Sequence, residues 1–539
     1  MDKKIQLLFN HLIQLQSDTG TVQEIAIAKE IHHHLATLPY FKKHPEHLHL
    51  QEIPKDPFGR YNVIGLIKGR SDKTTIMIHH HDAVDIDVYE DLKDLALSPA
   101  LLKEALKDKS FPEEITRDLE DSNWLFGRGT ADMKAGAAIQ LTLMEEFSKD
   151  PTFEDNLIIL SVCDEENLSA GMRAASAVLK ELQHTYKLDY KVMINSEPVG
   201  RIDETTGIYY EGTVGKIMPV LFAKGKKAHI GEVYSGFNPL MLLSEIQGEI
   251  ELNPALTDVY KGEVSPSPTW VHYRDRKAMY DASLPEAAAA YFSILTLEKT
   301  PKRIIEDIRS LSEKAFTRAI QRYEACVDAV NQQSATPINK LTFQPLVMTI
   351  DELHSDLVHL RGSTYTDAME TESKRLKVLL DSGAVNLQNA SIQLIEKAVS
   401  FVDHDDPFVV IGYSGPYYPH LTNEKLGLSH TAQFETLLNT ITKKHFGRSY
   451  KKFHYFMGIS DFSYTSLRIN KEDIDTIEKN MLGWNTFYHI PFKDLSALNI
   501  PMMNIGPWGK DLHKLTERVH IEDAFMNVPL IIKDFIKAL

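Results

Sequence analysis

The sequence predicts an α/β fold: a mainly parallel sheet with helices on both faces, interrupted by an inserted α+β domain. In the first third of the chain, short apolar runs alternate with helical patterns, which is typical of a parallel sheet. After about residue 207 this alternation stops, and it resumes near residue 419. We therefore predict one domain in two parts, 1–207 and 419–539, around an inserted domain at 208–418.

The elements of the first part follow from the spacing of apolar residues. Ile5, Leu8, Phe9 and Leu12 recur at three- and four-residue intervals, as in a helix with one buried face. Residues 156–162, NLIILSV, are nearly all apolar, which is typical of a strand buried on both faces. The same reasoning predicts helices at 4–16, 21–37, 135–147 and 171–182, strands at 62–67, 74–78, 156–162 and 190–194, and an irregular stretch with short helices at 86–122.

The inserted domain is predicted from a mixture of strand-like and helical patterns. Ile304, Ile308, Leu311 and Ala315 begin a helical repeat that continues to Val327. The predicted elements are two strands within 208–235, helices at 237–250, 304–327 and 375–402, and strands at 268–273, 289–297, 343–350 and 408–412. In the last part, we predict a helix at 430–445 and a strand at 502–505.

Composition limits the classes of function. A chain of 539 residues exceeds the size at which a single core stops growing, so two domains are expected. The formal net charge of −16 argues against nucleic-acid binding. Two cysteines, Cys163 and Cys326, cannot build a disulfide framework or a thiolate zinc site. No signal peptide and no run of about 18 apolar residues occurs, so we expect a cytoplasmic protein without membrane contact.

Clusters of His, Asp and Glu occur where predicted strands end or helices begin. Each has an ordinary explanation by itself, such as polar surface, a helix cap or a solvated turn. Ligands of parallel sheets bind beyond the carboxyl ends of the strands, and the clusters recur there. Their recurrence favours a metal site held by imidazole and carboxylate. The clusters are His79-His80-His81-Asp82, Asp132, Asp164-Glu165-Glu166 and Glu197.

The residue types suit a pair of divalent ions. His80 and Asp82 share a face of an extended segment, so the carboxylate can hold the second nitrogen of a metal-binding imidazole. Glu165 and Glu166 are adjacent and diverge, so one can bind metal while the other takes a proton from attacking water. A further ligand must come from far away, and His513 is the candidate. Nitrogen and oxygen donors suit zinc, with cobalt or manganese as substitutes.

These motifs resemble the di-zinc metallopeptidase family that contains aminoacylases, glutamate carboxypeptidase, tripeptidase and succinyl-diaminopimelate desuccinylase. The family pattern is His-x-Asp, Gly-Arg-Gly-x-x-Asp-Met-Lys, Asp-Glu-Glu, Glu-Pro and a late His, and this chain has all five in order. Within the family, Gly-Ile-Ser-Asp-Phe-Ser-Tyr at 458–464 and Pro-Tyr-Tyr-Pro-His at 416–420 are similar to the arginine-utilisation RocB subfamily.

The resemblance implies a set of metal ligands in the domain formed by 1–207 and 419–539, which would be the catalytic domain. One zinc would be held by His80 and Glu197, and the second by Glu166 and His513. Asp132 would bridge the two ions.

The resemblance also implies roles for residues that do not bind metal. Glu165 would be the general base, and Asp82 would orient the metal-binding imidazole. His229 would polarise the scissile carbonyl, often from a partner subunit, and the inserted domain would be a lid and dimerisation domain in a homodimer. Two departures concern a substrate carboxylate: Ser414-Gly415-Pro416 stands where many relatives have an arginine, and Thr296-Leu297-Glu298 where Asp-x-Arg is common.

We expect a metal-dependent amidohydrolase that acts on a small peptide or an N-acyl amino acid, in arginine or other amino-acid catabolism. Deacylase and dipeptidase remain open as the two activities. The alternative is a non-catalytic relative that binds metal or amino acids, which a degraded ligand set would favour. A phosphoesterase is disfavoured because the chain has no Walker-type glycine loop.

Overall fold

The computed structural model describes residues 2–539, with side chains from Lys3 onward, and divides the chain into two compact units. The first unit contains the chain up to Thr213 together with Leu421–Arg468 and Pro491–Leu539. The second unit contains Val214–His420 and Ile469–Ile490. No helix of the described residues combines the length and apolar character that crossing a membrane requires.

Strands and helices are numbered separately, each in chain order. The strands are β1 Leu48–Glu52, β2 Tyr61–Ile67, β3 Lys73–His80, β4 Trp124–Phe126, β5 Asn156–Val162, β6 Asp189–Asn195, β7 Thr206–Tyr210, β8 Gly212–Thr213, β9 Gly215–Lys224, β10 Val259–Tyr260, β11 Glu263–Val264, β12 Thr269–Asp275, β13 Ala287–Thr296, β14 Val347–Thr349, β15 Phe408–Tyr418, β16 Leu421–Thr422, β17 Ser449–Phe453, β18 Met502–Asn504, β19 Gly509–Lys510 and β20 Arg518–His520. The helices are α1 Asp2–Ile13, α2 Glu24–Thr37, α3 Pro39–Lys43, α4 Pro99–Leu106, α5 Glu113–Glu120, α6 Ala135–Ser148, α7 Ala170–Tyr186, α8 Pro239–Ile250, α9 Pro301–Asn331, α10 Ile350–Arg361, α11 Ser363–Asp381, α12 Leu387–Val399, α13 Asn423–Leu426, α14 Phe434–Phe446, α15 Lys471–Asn480, α16 Phe492–Ala497 and α17 Val528–Ala538.

The first unit is built on a sheet of order β1-β2-β5-β3-β6-β18-β7-β17. Its central strands β5, β3, β6 and β18 are mutually parallel, which confirms the predicted α/β fold with a mainly parallel central sheet. Because every residue of β5 is buried, the strand must be covered on both faces. Helices α1, α6 and α17 share one core with Leu157 and Ile159 of β5, while α7 packs against β2 and β5 from the other side.

The second unit has a sheet of order β12-β13-β9-β15-β14, in which only the β14–β15 pair is parallel. Val220 and Phe222 of β9 share a core with residues of α10, α11 and α12. Helices α8 and α9 pack on each other, and α8 also contacts β9, β12 and β13. This unit therefore has the α+β character that the sequence predicts for the inserted domain.

The unit boundaries differ from the sequence-based ones at two places. The first unit continues through Thr213, beyond the predicted end at 207, because β7 pairs with β17 and β18 in the main sheet. Residues 469–490, which the sequence analysis placed within 419–539, belong to the second unit because α15 packs against α9 and β15. The predicted helix at 375–402 is wrong as a single element, since α11 and α12 flank a break after Asp381.

Candidate metal centre

The candidate metal centre lies at the carboxyl edge of the parallel strands of the first unit. β3 ends at His80 and leads to Asp82, β5 leads to Glu165 and Glu166, and β6 leads to Glu197. These three strands are parallel neighbours, so their following loops meet at the same edge. The strand order therefore brings these residues to one edge of the sheet.

The site has a buried inner end, formed around His80, and a more exposed outer end, formed around His513. His80 Nε2 lies 3.0 Å from Asp132 Oδ1 and 3.4 Å from Glu197 Oε1. Its Nδ1 lies 3.0 Å from the backbone oxygen of Asp82 and 3.5 Å from that residue's carboxylate. One ring nitrogen thus faces two carboxylates while the other is held, an arrangement that fixes the orientation of a metal-binding imidazole. The His80 side chain is only 1% exposed.

His513 forms the outer end of the site, on the loop between β19 and β20. Its Nε2 lies 3.2 Å from Asp132 Oδ2 and 3.1 Å from Glu166 Oε2, and its side chain is 50% exposed. Asp132 therefore presents Oδ1 to His80 and Oδ2 to His513. A carboxylate shared by two ions needs this relation to two sets of ligands.

The donor set fits two metal ions. One donor atom from each of His80, Glu165 and Glu197 lies within 4.8 Å of the other two, and the same holds for His80, Asp132 and Glu166. Glu166 Oε1 is buried without a hydrogen-bond partner, so it keeps lone pairs for a cation. Imidazole and carboxylate without thiolate form a borderline-to-hard donor set for divalent ions.

The carboxylates of the site raise one another's proton affinity. Burial raises the pKa of Glu165 well above its usual value, and Glu197 and Asp461 raise it further. Burial and the charge of Asp132 raise the pKa of Glu166 to about 7. Such an accumulation of buried negative charge is unfavourable by itself and becomes favourable around cations.

The two imidazoles are surrounded by carboxylates. Hydrogen bonds to Asp132 and Glu166 raise the pKa of His513 to about 10. Burial lowers the pKa of His80, but Glu197, Asp132 and Asp82 together raise it well above the usual value. The carboxylates therefore favour a positive charge at both ring nitrogens, which a metal ion would supply in place of a proton.

Asp82 fixes the loop that carries the two adjacent glutamates. Its Oδ1 accepts the backbone N–H of Glu165 and its Oδ2 that of Glu166, each at 3.2 Å. The same carboxylate lies beside His80 Nδ1. Asp82 thus connects the end of β3 to the loop after β5, which accords with the orienting position predicted for it.

The two histidines beside His80 point away from the site. His79 Nδ1 contacts Gln140 Oε1 at 3.0 Å, and His81 Nδ1 contacts Ser161 Oγ at 2.9 Å. Burial lowers the pKa of His79 to about 4 and that of His81 to about 3. His80 is thus the member of the triplet that lies beside Asp82, while His79 and His81 have other partners.

An ion pair that the sequence analysis did not assign joins the loops of Asp132 and His513. Arg128 Nη1 donates to Glu517 Oε2 at 2.5 Å, and both side chains are buried. Arg128 also donates to the backbone oxygen of His513 at 3.2 Å, and Glu517 Oε1 accepts the backbone N–H groups of Ala131 and Asp132 at 3.3 Å. Their positions in the sequence could have indicated a role at the site, because Arg128 lies in the Gly-Arg-Gly motif before Asp132 and Glu517 follows His513 by four positions.

Asp461 is a second buried acid that received no role from the sequence. It lies on a short helical turn, Asp461–Tyr464, inside the 458–464 motif. Its Oδ1 is buried without a hydrogen-bond partner, and burial raises its pKa to about 7. The charges of His80, Asp82 and Glu197 all act on it, so Asp461 belongs to the electrostatic surroundings of the site. Composition of a loop does not reveal such burial, which is why the sequence missed it.

His229 lies in the second unit and is exposed. It precedes the short helical turn Ile230–Ser235, and its Nδ1 accepts the backbone N–H of Gly231 at 3.1 Å. His229 is thus the one predicted site residue that is not part of the first-unit cluster.

Relatives match this chain along nearly its whole length. A model described as peptidase family M20/M25/M40 matches residues 105–537. The uncharacterized protein YqjN of Bacillus subtilis is 31% identical over 539 residues, covering 99% of this chain and 95% of the relative. Protein RocB of Bacillus subtilis is 29% identical over 546 residues, covering 98% of this chain and 94% of RocB.

The fold also matches a solved structure. The Bacillus subtilis YxeP protein, a dinuclear metal-binding peptidase of the M20 family, aligns with a TM-score of 0.50 and 10% sequence identity. The alignment covers 99% of this chain and 97% of YxeP. At this identity the likeness concerns the fold alone.

Proposed function

Because the chain belongs to peptidase family M20/M25/M40 and is a metal-dependent hydrolase, we propose that it cleaves an amide bond in a small peptide or an N-acyl amino acid. The observation that carries the proposal is the position of Asp132 between two imidazoles, with a carboxylate oxygen toward each. No predicted ligand is replaced by a residue unable to bind metal, so nothing favours a non-catalytic relative.

We assign His80 and Glu197 to one ion and Glu166 and His513 to the other, with Asp132 shared. The distances of 3.0–3.4 Å among these donor atoms support the assignment. Zinc is the expected metal because imidazole and carboxylate suit it, and cobalt or manganese can replace it. When bound, such a pair of ions polarises a carbonyl and lowers the pKa of a water molecule.

Glu165 is proposed as the general base. Asp82 holds the backbone of both Glu165 and Glu166, so the two neighbouring side chains diverge from a fixed loop. Glu165 would take the proton of the attacking water and return it to the nitrogen of the leaving amine. The raised pKa of its buried carboxyl supports this role, since a base that must later act as an acid needs a pKa above that of an ordinary glutamate.

His229 is proposed to donate a hydrogen bond to the substrate carbonyl. Its Nδ1 accepts a backbone N–H, which leaves Nε2 as the possible donor, and the exposed position of the ring supports contact with a substrate. Whether it acts in its own chain or in a partner of a homodimer can be decided by mixing His229→Ala with Glu165→Gln. Recovery of activity in the mixture would assign His229 to the partner's site, and no recovery would assign it to its own.

The central test of the proposal is Glu165→Gln. We expect the variant to keep both ions of the candidate metal centre, as in the wild type, because glutamine changes the base and not the assigned ligands. We expect hydrolysis to fall by about 10²–10⁴-fold, the contribution of a positioned acid–base group. Glu181→Gln, an exposed glutamate of α7, is the matched control and should keep full activity. Retained hydrolysis in Glu165→Gln would remove Glu165 from the role of base.

The substrate is to be found among N-acetyl, N-succinyl and dipeptide compounds. Arginine is included as one component of each group because the motifs resemble the arginine-utilisation RocB subfamily. Turnover of dipeptides alone would identify a dipeptidase, and turnover of N-acyl amino acids alone a deacylase. Hydrolysis of none of these, with two zinc ions bound, would contradict the proposed substrate class.

A further inference from the structure

Another group of metal-binding donors lies at the opposite edge of the main sheet. His44, Glu46 and His47 follow the end of α3 around a short helical turn, Pro45–His47, before β1 begins. Since β1 is antiparallel to β2 and β2 to β5, β1 runs in the direction of β5, and the three donors precede its first residue. Tyr40, which contacts His47, also contacts Lys68 just after β2, on the side of the sheet where β5 begins. The candidate metal centre follows the ends of β3 and β5, so the two groups lie toward opposite ends of the strands.

The three donors converge on one point. His44 Nδ1 lies 3.3 Å from Glu46 Oε1, and His47 Nε2 lies 3.8 Å from the same oxygen. One donor atom of each residue lies within 4.8 Å of the other two. Tetrahedral ligands at about 2.1 Å from zinc are about 3.4 Å from one another. The His44 and Glu46 side chains are 35% and 59% exposed, so they have the freedom to close the remaining distance.

Local structure explains the convergence. A helix with three residues per turn places positions i and i+3 above each other, and the rings of His44 and His47 stack at 5.3 Å with an interplanar angle of 14°. The hydroxyl of Tyr40 lies 2.9 Å from His47 Nδ1 and itself accepts the backbone N–H of Lys68 at 2.7 Å. His47 is therefore held by a fixed neighbour through one nitrogen while the other faces Glu46, as in oriented metal ligands.

We propose that His44, Glu46 and His47 form a third metal site, which binds a divalent transition ion, zinc first, with water completing its coordination. Two imidazoles and one carboxylate are the ligands that zinc, nickel and copper accept. The ion would tie the end of α3 to the beginning of β1. The site is independent of the proposed hydrolysis, since it lies at the other edge of the sheet.

The test is the zinc content of the full-length protein, prepared metal-free and dialysed against zinc chloride. We expect three equivalents for the wild type and two for His47→Gln and for Glu46→Gln, with hydrolysis unchanged in both. His33→Gln, an exposed histidine of α2, is the matched control and should retain three. Asp132→Asn should keep one equivalent, because the third site does not use Asp132.

Each other outcome overturns the site. A zinc content of the wild type that does not fall in His47→Gln and Glu46→Gln would mean that no ion binds to these residues, whatever the number of ions in the candidate metal centre. A second measurement is the unfolding temperature. Saturation of the third site should raise it in the wild type and in Asp132→Asn but not in Glu46→Gln, and an equal rise in all three would contradict the proposal.

Discussion

The inner and outer ends of the candidate metal centre use the same kinds of ligand but are built differently. His80, at the inner end, is the last residue of a central strand and is 1% exposed. His513, at the outer end, lies on a loop, has a left-handed φ of 64°, and is 50% exposed. The inner ligand is positioned by the register of a parallel sheet, whereas the outer one has no regular backbone to hold it.

What holds the outer end is a buried ion pair. Arg128 contacts the backbone oxygen of His513, and Glu517 accepts the backbone N–H groups that precede and include Asp132. The pair therefore fixes two loops that are nearly four hundred residues apart in sequence at the positions where their side chains meet. Backbone pairing thus holds the inner end of this site, and side-chain contacts hold the outer end.

The largest effect is expected where the two ends share a ligand. In Asp132→Asn the amide cannot supply a negative oxygen to each ion, so zinc content should fall by two equivalents. Loss of metal chemistry worth several kcal/mol corresponds to a decrease in kcat/KM of about a thousandfold or more. Metal analysis and steady-state kinetics measure the two effects, with the exposed Asp108→Asn as control. If Asp132→Asn lost only one ion, Asp132 would not be a ligand shared by the two ions.

The second prediction concerns a substitution that should weaken only the outer end of the site. Arg128→Gln leaves the buried Glu517 carboxylate without its partner, which should cost about 3–5 kcal/mol of unfolding free energy. Because the loop of His513 also loses its contact, zinc affinity of the outer end should fall about 10–100-fold while the inner ion stays. Zinc titration calorimetry of the metal-free protein and denaturant unfolding measure both quantities.

Two variants control for a general loss of stability. Arg201→Gln removes a different ion pair of the first unit, that with Asp523, and should leave both zinc affinities unchanged. The double variant Arg128→Gln/Glu517→Gln removes both charges and should recover part of the unfolding free energy lost in Arg128→Gln. If Arg128→Gln lowered the zinc affinity of both ends equally, the Arg128–Glu517 ion pair would not act on the outer end alone.

The inner ligands follow strands and the outer ligand His513 lies on a loop, and this difference determines which ligands could be placed from the sequence. Apolar runs such as NLIILSV predict buried parallel strands, and the parallel strands of one sheet end at a common edge. His80 and Glu197 each follow such a run, so the pattern alone could place them near each other. Strand alternation also placed His80 and Asp82 on one face, and the family resemblance then assigned His80 to a metal ion. His513 was a candidate from the sequence, but only the family resemblance paired it with Glu166, because no local pattern states where a loop at the other end of the chain will fold.

What the sequence could not provide was burial and the pairing of side chains. Arg128 and Glu517 are both ordinary charged residues by composition, and only the fold reveals that each is the other's buried partner. Residues 469–490 were assigned to the wrong side of the boundary for a similar reason. Helix α15 has a normal amphipathic pattern, which does not say against which of two units its apolar face packs.

The third prediction compares how the two ions are lost to a chelator. The outer ligand His513 is half exposed while the inner ligand His80 is buried, so the outer ion should leave first. A difference of about 1.4 kcal/mol would separate the two steps by about tenfold in chelator concentration. The titration uses the Glu46→Gln background, which lacks the proposed third site, and zinc content against chelator concentration should show two steps there and only the tighter one when His513→Ala is added. Loss of both ions in one step would contradict the difference.

The smallest expected effect concerns pH and the metal-free protein. The pKa of Glu166 is raised from 4.5 to about 7 and that of His513 from 6.5 to about 10, so the folded state binds more protons than the unfolded state. The stabilisation from Glu166 is complete below pH 4.5 and is lost as pH rises through 7; that from His513 is complete below 6.5 and is lost through 10. Unfolding free energy should therefore decrease by on the order of 1–3 kcal/mol between about pH 5 and about pH 9.

Bound zinc should abolish this decrease in unfolding free energy, because the metal replaces the protons on Glu166 and His513. Zinc also binds more tightly as these ligands lose their protons at higher pH. Denaturant unfolding at several pH values, with and without zinc, measures both slopes. Glu166→Gln has one titrating group fewer, so its metal-free slope should be smaller than that of the wild type between about pH 5 and about pH 7. Equal slopes in the metal-free and zinc-loaded wild type would mean that the protons of the outer end do not exchange for metal, and the assignment of Glu166 and His513 as a ligand pair would then fail.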